Sequence, residues 1–430
     1  MGDFPFHTGL VIAVMGAVLG GARLLTPVPP PKAPGPGVAA HLPAAATAKT
    51  GEAALLDDSN GVLDSFYRAL ARTETQDHSA ITRVVHYGDS PSTADLITGD
   101  TRTILQARFG DGGHGFILPA KPWAWYRHEG TSVEAKGWLM QPASRFEKHD
   151  GLFGLGGVSF VGTNATSRIQ FDSGQSSFEL WFLRQPNGGT VSLSADGVEL
   201  GQVDTSGETG PGFATLVTRE PAHILELRVT RGRVRIFGVS AERAAPGLVY
   251  DTLGLNGASI GVLSRMFNEQ HLAAELQHRN PDLLILNYGT NEADFGSFVA
   301  SPEYEKDLRE ALRRLRAALP ETAILVMSPM DRGYKNSAGE VATMPTIPEI
   351  VATQRRVARD TGCGFFDTFQ AMGGEGTMGR WYAARPRLVS ADFIHPYPAA
   401  GKQLALVFTR ELLSGLDRYK LGHASPAAVR

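Results

Sequence analysis

A single cysteine, Cys363, in 430 residues excludes an intrachain disulfide and any metal centre built on several thiolates. The chain also has no dense Lys/Arg block. Its 41 Lys and Arg stand against 44 Asp and Glu, a formal net charge of −3, so it has no overall basic field of the kind that holds nucleic acid by its phosphates. His, Asp and Glu never cluster at zinc-ligand spacing. The glycine-rich FGLGGVSF around Gly154 to Gly157 lacks both the Lys-Ser/Thr and the strand-before-helix context of a phosphate loop. These absences call for no metal, no cofactor and no nucleic acid, and they favour an uncharged substrate.

The N-terminal apolar run, Gly9 to Ala22, is 14 residues long. That is short for an ordinary spanning helix, which needs about 20, and close to the core of a signal peptide. Asp3 rather than Lys or Arg precedes it, and Arg23 is followed by Leu24 and Leu25 instead of a small-residue cleavage site. Residues 1–25 are therefore read as a signal peptide or an uncleaved anchor, with possible membrane attachment through residues 9–25. The expected location is outside the cytoplasm, in the periplasm or cell envelope. Residues 26–52, rich in Pro and Ala, cannot sustain a hydrogen-bonded ladder and are read as an extended linker.

Hydrophobic residues make up 42% of the chain and charged residues 20%, enough for a large core and more than one folded unit. From Ala53 to Thr75 the apolar positions Leu55, Leu56, Leu63, Phe66, Tyr67 and Leu70 predict one short and one longer helix, broken at Ser59-Asn60-Gly61. Five short apolar segments then read as strands buried on both faces: Arg83 to Tyr87, Leu248 to Leu253, Asp282 to Tyr288, Ala323 to Ser328 and Gly364 to Asp367. Amphipathic helices are predicted over Tyr304 to Leu319 and Ile347 to Asp360. This alternation predicts an α/β fold with a parallel sheet.

The candidate chemistry falls at the ends of those strands. Ser90 follows the first, in VVHYGDSPSTAD; Gly257 the second, in GLNGAS; Asn291 the third, in LNYGTNEAD; and Asp392 and His395 follow the fifth after a long loop, in ADFIHPYP. A serine hydroxyl needs an imidazole to take its proton and a carboxylate to hold that imidazole in the right tautomer. Ser90, His395 and Asp392 supply these three groups. The remaining requirement is a set of donors for the oxyanion, here the main-chain N–H groups of Ser90 and Gly257 and the Asn291 amide. Open α/β sheets place their sites at the carboxyl ends of strands, where these four segments would converge. Asp89 reads as a structural turn residue, and His86 and His114 as packed or surface histidines with no carboxylate at a telling spacing. Pro91 suits the first turn of a helix, where its missing N–H would be unsatisfied anyway.

Positions 90 and 257 are 167 residues apart, far too many for a crossover loop. Between about Pro119 and Ala245 the pattern is β-like, with GGVSFVGTN, SRIQFDS, FELWFLRQPNGGTVSLSADG, ATLVTRE and HILELRVTRGRVRIFGVSAE separated by turn residues. An all-β sandwich inserted into the α/β domain is predicted. Trp123, Trp125, Tyr126, Trp381 and Tyr382 are candidates for stacking on sugar rings.

The blocks HYGDS, GLNGAS, GTNE and the D-x-x-H of Asp392 and His395, in that order, resemble the SGNH or GDSL hydrolase superfamily over residues 78–116 and 246–420. With RFGDGGHGF after the first block and AMGGEGTMGRWYAARP before the last, the chain resembles the bacterial peptidoglycan O-acetylesterases that carry an inserted carbohydrate-binding-like module. The resemblance implies a flavodoxin-like five-stranded parallel sheet with a jelly-roll-like insert. It also implies removal of acetyl groups from the C6 hydroxyl of N-acetylmuramic acid, with Ser90 as nucleophile. The expected division is a hydrolase domain over 53–118 and 246–420, an insert over 119–245 and a tail over 421–430. An O-acetyltransferase on the same polymer and a non-catalytic glycan-binding envelope protein remain alternatives.

Overall fold

Five parallel strands form the frame that carries the candidate site: Ile81–Gly88, Gly247–Gly254, Leu283–Asn287, Ala323–Met327 and Gly364–Phe366. In the computed structural model, which describes residues 54–77, 80–144 and 149–423, these strands lie in the spatial order second, first, third, fourth, fifth. This is the flavodoxin-like order, and its direction reverses between the first and third strands. The strands are mostly apolar because both faces of the sheet are covered, and the polar residues they do carry, such as Arg83, His86 and Asp251, have partners on neighbouring elements. Ala323–Met327 and Gly247–Gly254 are buried at every position. The predicted helices occur as Pro302–Ala318 and Thr346–Asp360. The first starts where Ser301 accepts the Glu303 N–H at 3.3 Å with Pro302 next in line, and it buries Leu308, Leu312 and Leu315.

The segment before the first strand departs from expectation. Leu56–Asp57 is a sixth strand, antiparallel to Gly364–Phe366, where a short helix is predicted. A 3-10 turn, Ser59–Gly61, and the helix Asp64–Glu74 follow. The apolar pair Leu55 and Leu56 fits an edge strand as well as a helical turn, and the open edge of the sheet decides between them. The expected signal or anchor over 1–25 and the linker over 26–52 lie outside the described residues. Among the described residues, no helix is long and apolar enough to cross a membrane.

The insert is all-β. Among the described residues its eight strands, joined by Gly115–Ile117 from just before the insert, bond into one nine-stranded antiparallel sheet, in which Thr166–Arg184 and Gly210–Arg231 pair along most of their lengths. Register shifts between Val217 and Ala222 and between Ala222 and Ile224 bend this pair. As a result the two halves of Thr166–Arg184 have different outer neighbours, Thr131–Lys136 on one half and Val234–Glu242 on the other. The insert is fastened to the parallel sheet by buried charge. Arg279 donates to Asp251 at 2.5 and 2.9 Å and to Glu242 at 2.5 Å, and Arg83 reaches the same Glu242 at 2.8 and 3.1 Å. Asp251 also accepts the Phe116 N–H at 2.8 Å. These residues come from two parallel strands, the helix Glu269–Arg279 and two strands of the nine-stranded sheet, Gly115–Ile117 and Val234–Glu242. Removing one partner of a buried pair typically costs about 3–5 kcal/mol, because the other charge is left stranded.

Candidate active site

Ser90 is the first residue of a short helix, Ser90–Thr93, that turns sharply off the end of the first strand, with Pro91 in its first turn as expected. The turn is possible because the neighbouring strand ends in glycine. A β-carbon at Gly254 would collide with the main chain of Ser92 and Thr93. Asp89 closes the turn through its carbonyl, which accepts from the Thr93 N–H and hydroxyl at 3.0 and 3.1 Å.

Asp392 and His395 sit at the tip of a narrow hairpin. It is closed by main-chain bonds from Tyr397 to Leu388 at 2.8 Å and from Ser390 to His395 at 2.9 Å. Phe393 adopts φ +61 between them, which turns both side chains toward the first strand. His395 Nε2 lies 2.8 Å from Ser90 Oγ, and Nδ1 lies 2.6 Å from Asp392 Oδ2. The other carboxylate oxygen, Oδ1, accepts the N–H groups of Ile394 at 2.9 Å and His395 at 3.1 Å, and also the Ser390 hydroxyl. Residues 305 positions apart in sequence thus form one chain of hydrogen bonds.

The electrostatics follow from these contacts. The hydrogen bond to Asp392 raises His395 above the ordinary imidazole range, against partial burial that lowers it. Burial alone would raise Asp392, but the bonds from His395, Ser390 and the main chain prevail and hold its carboxyl far below the usual range. Asp89, 2% exposed beside Ser90, is pushed up to about 6 by burial despite the opposing influence of Thr290, His395 and Arg332.

The second and third blocks meet across the top of the sheet. Asn291 donates through Nδ2 to the Ala258 carbonyl at 2.8 Å, which leaves its second amide hydrogen available. Gly257 adopts φ +70, and a β-carbon there would meet nothing within 4 Å, so this backbone faces open space. Among the described residues, neither the Ser90 N–H nor the Gly257 N–H has an acceptor. Glu292, to which the sequence reading assigned no role, ties the two loops together. One oxygen accepts the Ile260 N–H at 2.8 Å and the other the Gly289 N–H at 3.1 Å. Burial pushes its carboxyl up to about 7. The only signal for Glu292 was its place in GTNE.

The other singled-out residues fall elsewhere. His86 is buried in the sheet against the Tyr250 hydroxyl at 2.7 Å. His114 does have a carboxylate neighbour, Asp172 at 3.0 Å, brought to it by the insert. Ser173 Oγ approaches the same ring nitrogen at 3.5 Å, so no relay runs through that ring. Of the aromatics, Trp125 is 50% exposed, whereas Tyr126 is buried and accepts the Leu118 N–H. Tyr382 packs on Phe393 of the hairpin at 4.8 Å between ring centres.

Residues 228–402 match the family model described as the GDSL-like Lipase/Acylhydrolase family, a span that includes Gly257, Asn291, Asp392 and His395 but not Ser90. Among solved structures, one described as "Peptidoglycan O-acetylesterase in action" is 25% identical, with 85% of this chain and 100% of that chain covered and a TM-score of 0.73. A putative GDSL-like lipase from Parabacteroides merdae is 19% identical over 40% of this chain and 74% of its own, TM-score 0.30. A family two carbohydrate esterase from Clostridium thermocellum is 13% identical over 65% and 99%, TM-score 0.29. No curated protein matches the sequence.

Proposed function

Since the chain is an SGNH-type serine hydrolase with a GDSL-like lipase/acylhydrolase domain, we propose that it removes O-acetyl groups from peptidoglycan N-acetylmuramic acid through an acetyl-serine intermediate. The observation that carries the chemistry is the continuous contact from Ser90 Oγ through the His395 ring to Asp392, beside main-chain N–H groups without acceptors. The substrate rests on the likeness to the peptidoglycan O-acetylesterase structure, which extends over all of that chain. The site also suits an ester carried on a polymer, since the His395 and Asp392 side chains are 43% and 44% exposed. The enzyme works in the cell envelope, and the apolar run Gly9 to Ala22 is the segment that would direct it there.

Ser90 attacks the acetyl carbonyl carbon as its proton passes to His395 Nε2, whose Nδ1–H is held by Asp392. The oxyanion takes the N–H groups of Ser90 and Gly257 and the second amide hydrogen of Asn291. Collapse breaks the bond to the sugar oxygen, and His395 returns the proton to that oxygen. Water, deprotonated by the same imidazole, then adds to the acetyl carbon; the bond to Ser90 Oγ breaks, acetate leaves, and His395 returns the proton to Oγ. The decisive assay is acetate release from O-acetylated peptidoglycan, compared with acetylated xylan and an aryl acetate. The proposal expects the highest kcat/KM on peptidoglycan. Release confined to the aryl ester would remove the substrate and leave the chemistry.

The pH dependence has a definite sign. His395 must be neutral to accept a proton, and Asp392 holds its pKa above the ordinary imidazole value. Activity is therefore expected to fall on the acid side around a midpoint above about 6.5. The stability linked to His395 runs the other way. A raised folded pKa contributes fully below the unfolded value and is lost as pH rises through the folded one. A kcat/KM profile flat down to pH 5 would contradict this assignment of the base.

A further inference from the structure

The loop that leaves the fourth strand, Ala323–Met327, carries a buried arginine that the four sequence blocks do not include. Arg332 is 7% exposed. Its guanidinium donates through Nη1 to the Thr290 carbonyl and through Nη2 to Asp294 Oδ2, both at 2.5 Å. These acceptors lie on either side of Asn291. The next residue in the chain holds the other half of the site, because the Gly333 N–H donates to the Phe393 carbonyl at 2.9 Å, between Asp392 and His395. A β-carbon at Gly333 would lie 2.9 Å from that of Phe393 and 2.8 Å from Val341, so the hairpin can approach this closely only over a glycine. The Arg332 carbonyl is itself fixed, accepting the Met344 N–H at 2.7 Å. Two adjacent residues therefore grip the amide loop with a side chain and the histidine loop with main chain.

We infer that Arg332 is a positioning residue for hydrolysis, setting the Asn291 oxyanion donor in register with the Asp392–His395 pair. The inference rests on the catalytic roles proposed above. The guanidinium also stands close enough to act on His395 and Asp89 by its charge, opposing protonation of the imidazole. The charged groups facing His395 are Asp392 on its own hairpin, Asp89 at the end of the first strand and Arg332 from the fourth-strand loop. Arginine suits the position because one planar fork satisfies two acceptors at once, whereas an ammonium group is a point charge. A misplacement of about 1 Å between reacting groups costs roughly a hundredfold in rate.

The test uses the full chain, an aryl acetate and three variants. In Arg332→Gln, kcat should fall roughly ten- to a hundredfold with KM little changed. The acid limb of kcat/KM should also move to higher pH, since a positive charge beside His395 is lost. Arg332→Lys should keep the limb near its parental position yet remain slow, because the charge survives and the bridge does not. Parental kcat in either variant, or an unmoved acid limb in the glutamine variant, overturns the inference. Should neither fold, Asp294→Asn decides: a several-fold lower kcat with an unmoved limb supports the bridge, and parental kcat overturns it. A parallel Ser90→Ala measurement separates the two levels. If that variant is inactive and Arg332→Gln is parental, only the bridge fails; if Ser90→Ala is active, the underlying mechanism fails.

Discussion

Replacing Ser90 by alanine is expected to abolish ester hydrolysis, with kcat lower by on the order of 10⁴- to 10⁶-fold on any acetyl ester. The magnitude follows from the loss of the covalent route: with no hydroxyl 2.8 Å from His395 Nε2, only the oxyanion donors and substrate binding remain to assist direct attack by water. The fold should be unaffected. Ser90 opens its helix without a side-chain cap, and Pro91, the Gly254 contact and the Asp89 carbonyl bonds that shape the turn all survive the change. Thermal unfolding within a few degrees of the parent, alongside lost acetate release, is the expected pair of results. Retained hydrolysis by the folded variant would sink the mechanism.

Asp392→Asn should cost about 10⁴-fold in kcat, and here the surroundings dictate how. Oδ1 accepts two main-chain N–H groups and the Ser390 hydroxyl, so an asparagine would place its carbonyl oxygen there. Its NH₂ would then face His395 Nδ1, where Oδ2 now sits at 2.6 Å. An imidazole receiving a hydrogen bond at Nδ1 must carry its proton on Nε2. That proton points at Ser90, and the ring can no longer act as base. The variant should also lose the raised His395 pKa, so any residual activity should persist to lower pH than in the parent. A kcat within tenfold of the parent would mean that Asp392 only shapes the hairpin.

Much of the frame was legible in the sequence for a simple reason: a strand covered on both faces is dominated by apolar residues, and five short segments of that kind stand out in a chain with 20% charged residues. The long β insert was legible because a span of 167 residues cannot be a loop. The edge strand Leu56–Asp57 was not, since two residues carry no period. Nor were the continuous strands Thr166–Arg184 and Gly210–Arg231, which run through turn-like residues such as Gly174 and Pro221 by means of bulges. His114 is packed, as its reading expected, but its carboxylate partner Asp172 was not legible because it is 58 positions away.

Local residue types and their order pointed to an α/β fold of the SGNH type and to its candidate nucleophile, base and carboxylate, because three blocks directly follow recognisable strands and the fourth sets an aspartate and a histidine three positions apart. Which strands lie side by side, and hence that Ser90 and Asn291 flank the reversal of the sheet, was decided only by the packed fold. The same holds for Glu292 and Arg332. Apart from Gly289, which lies beside Glu292, their partners are 32 to 42 positions away in sequence, at distances that depend on how separate loops are pressed together. A hydrogen bond between loops is a property of their placement, and placement is set by the burial of the whole core.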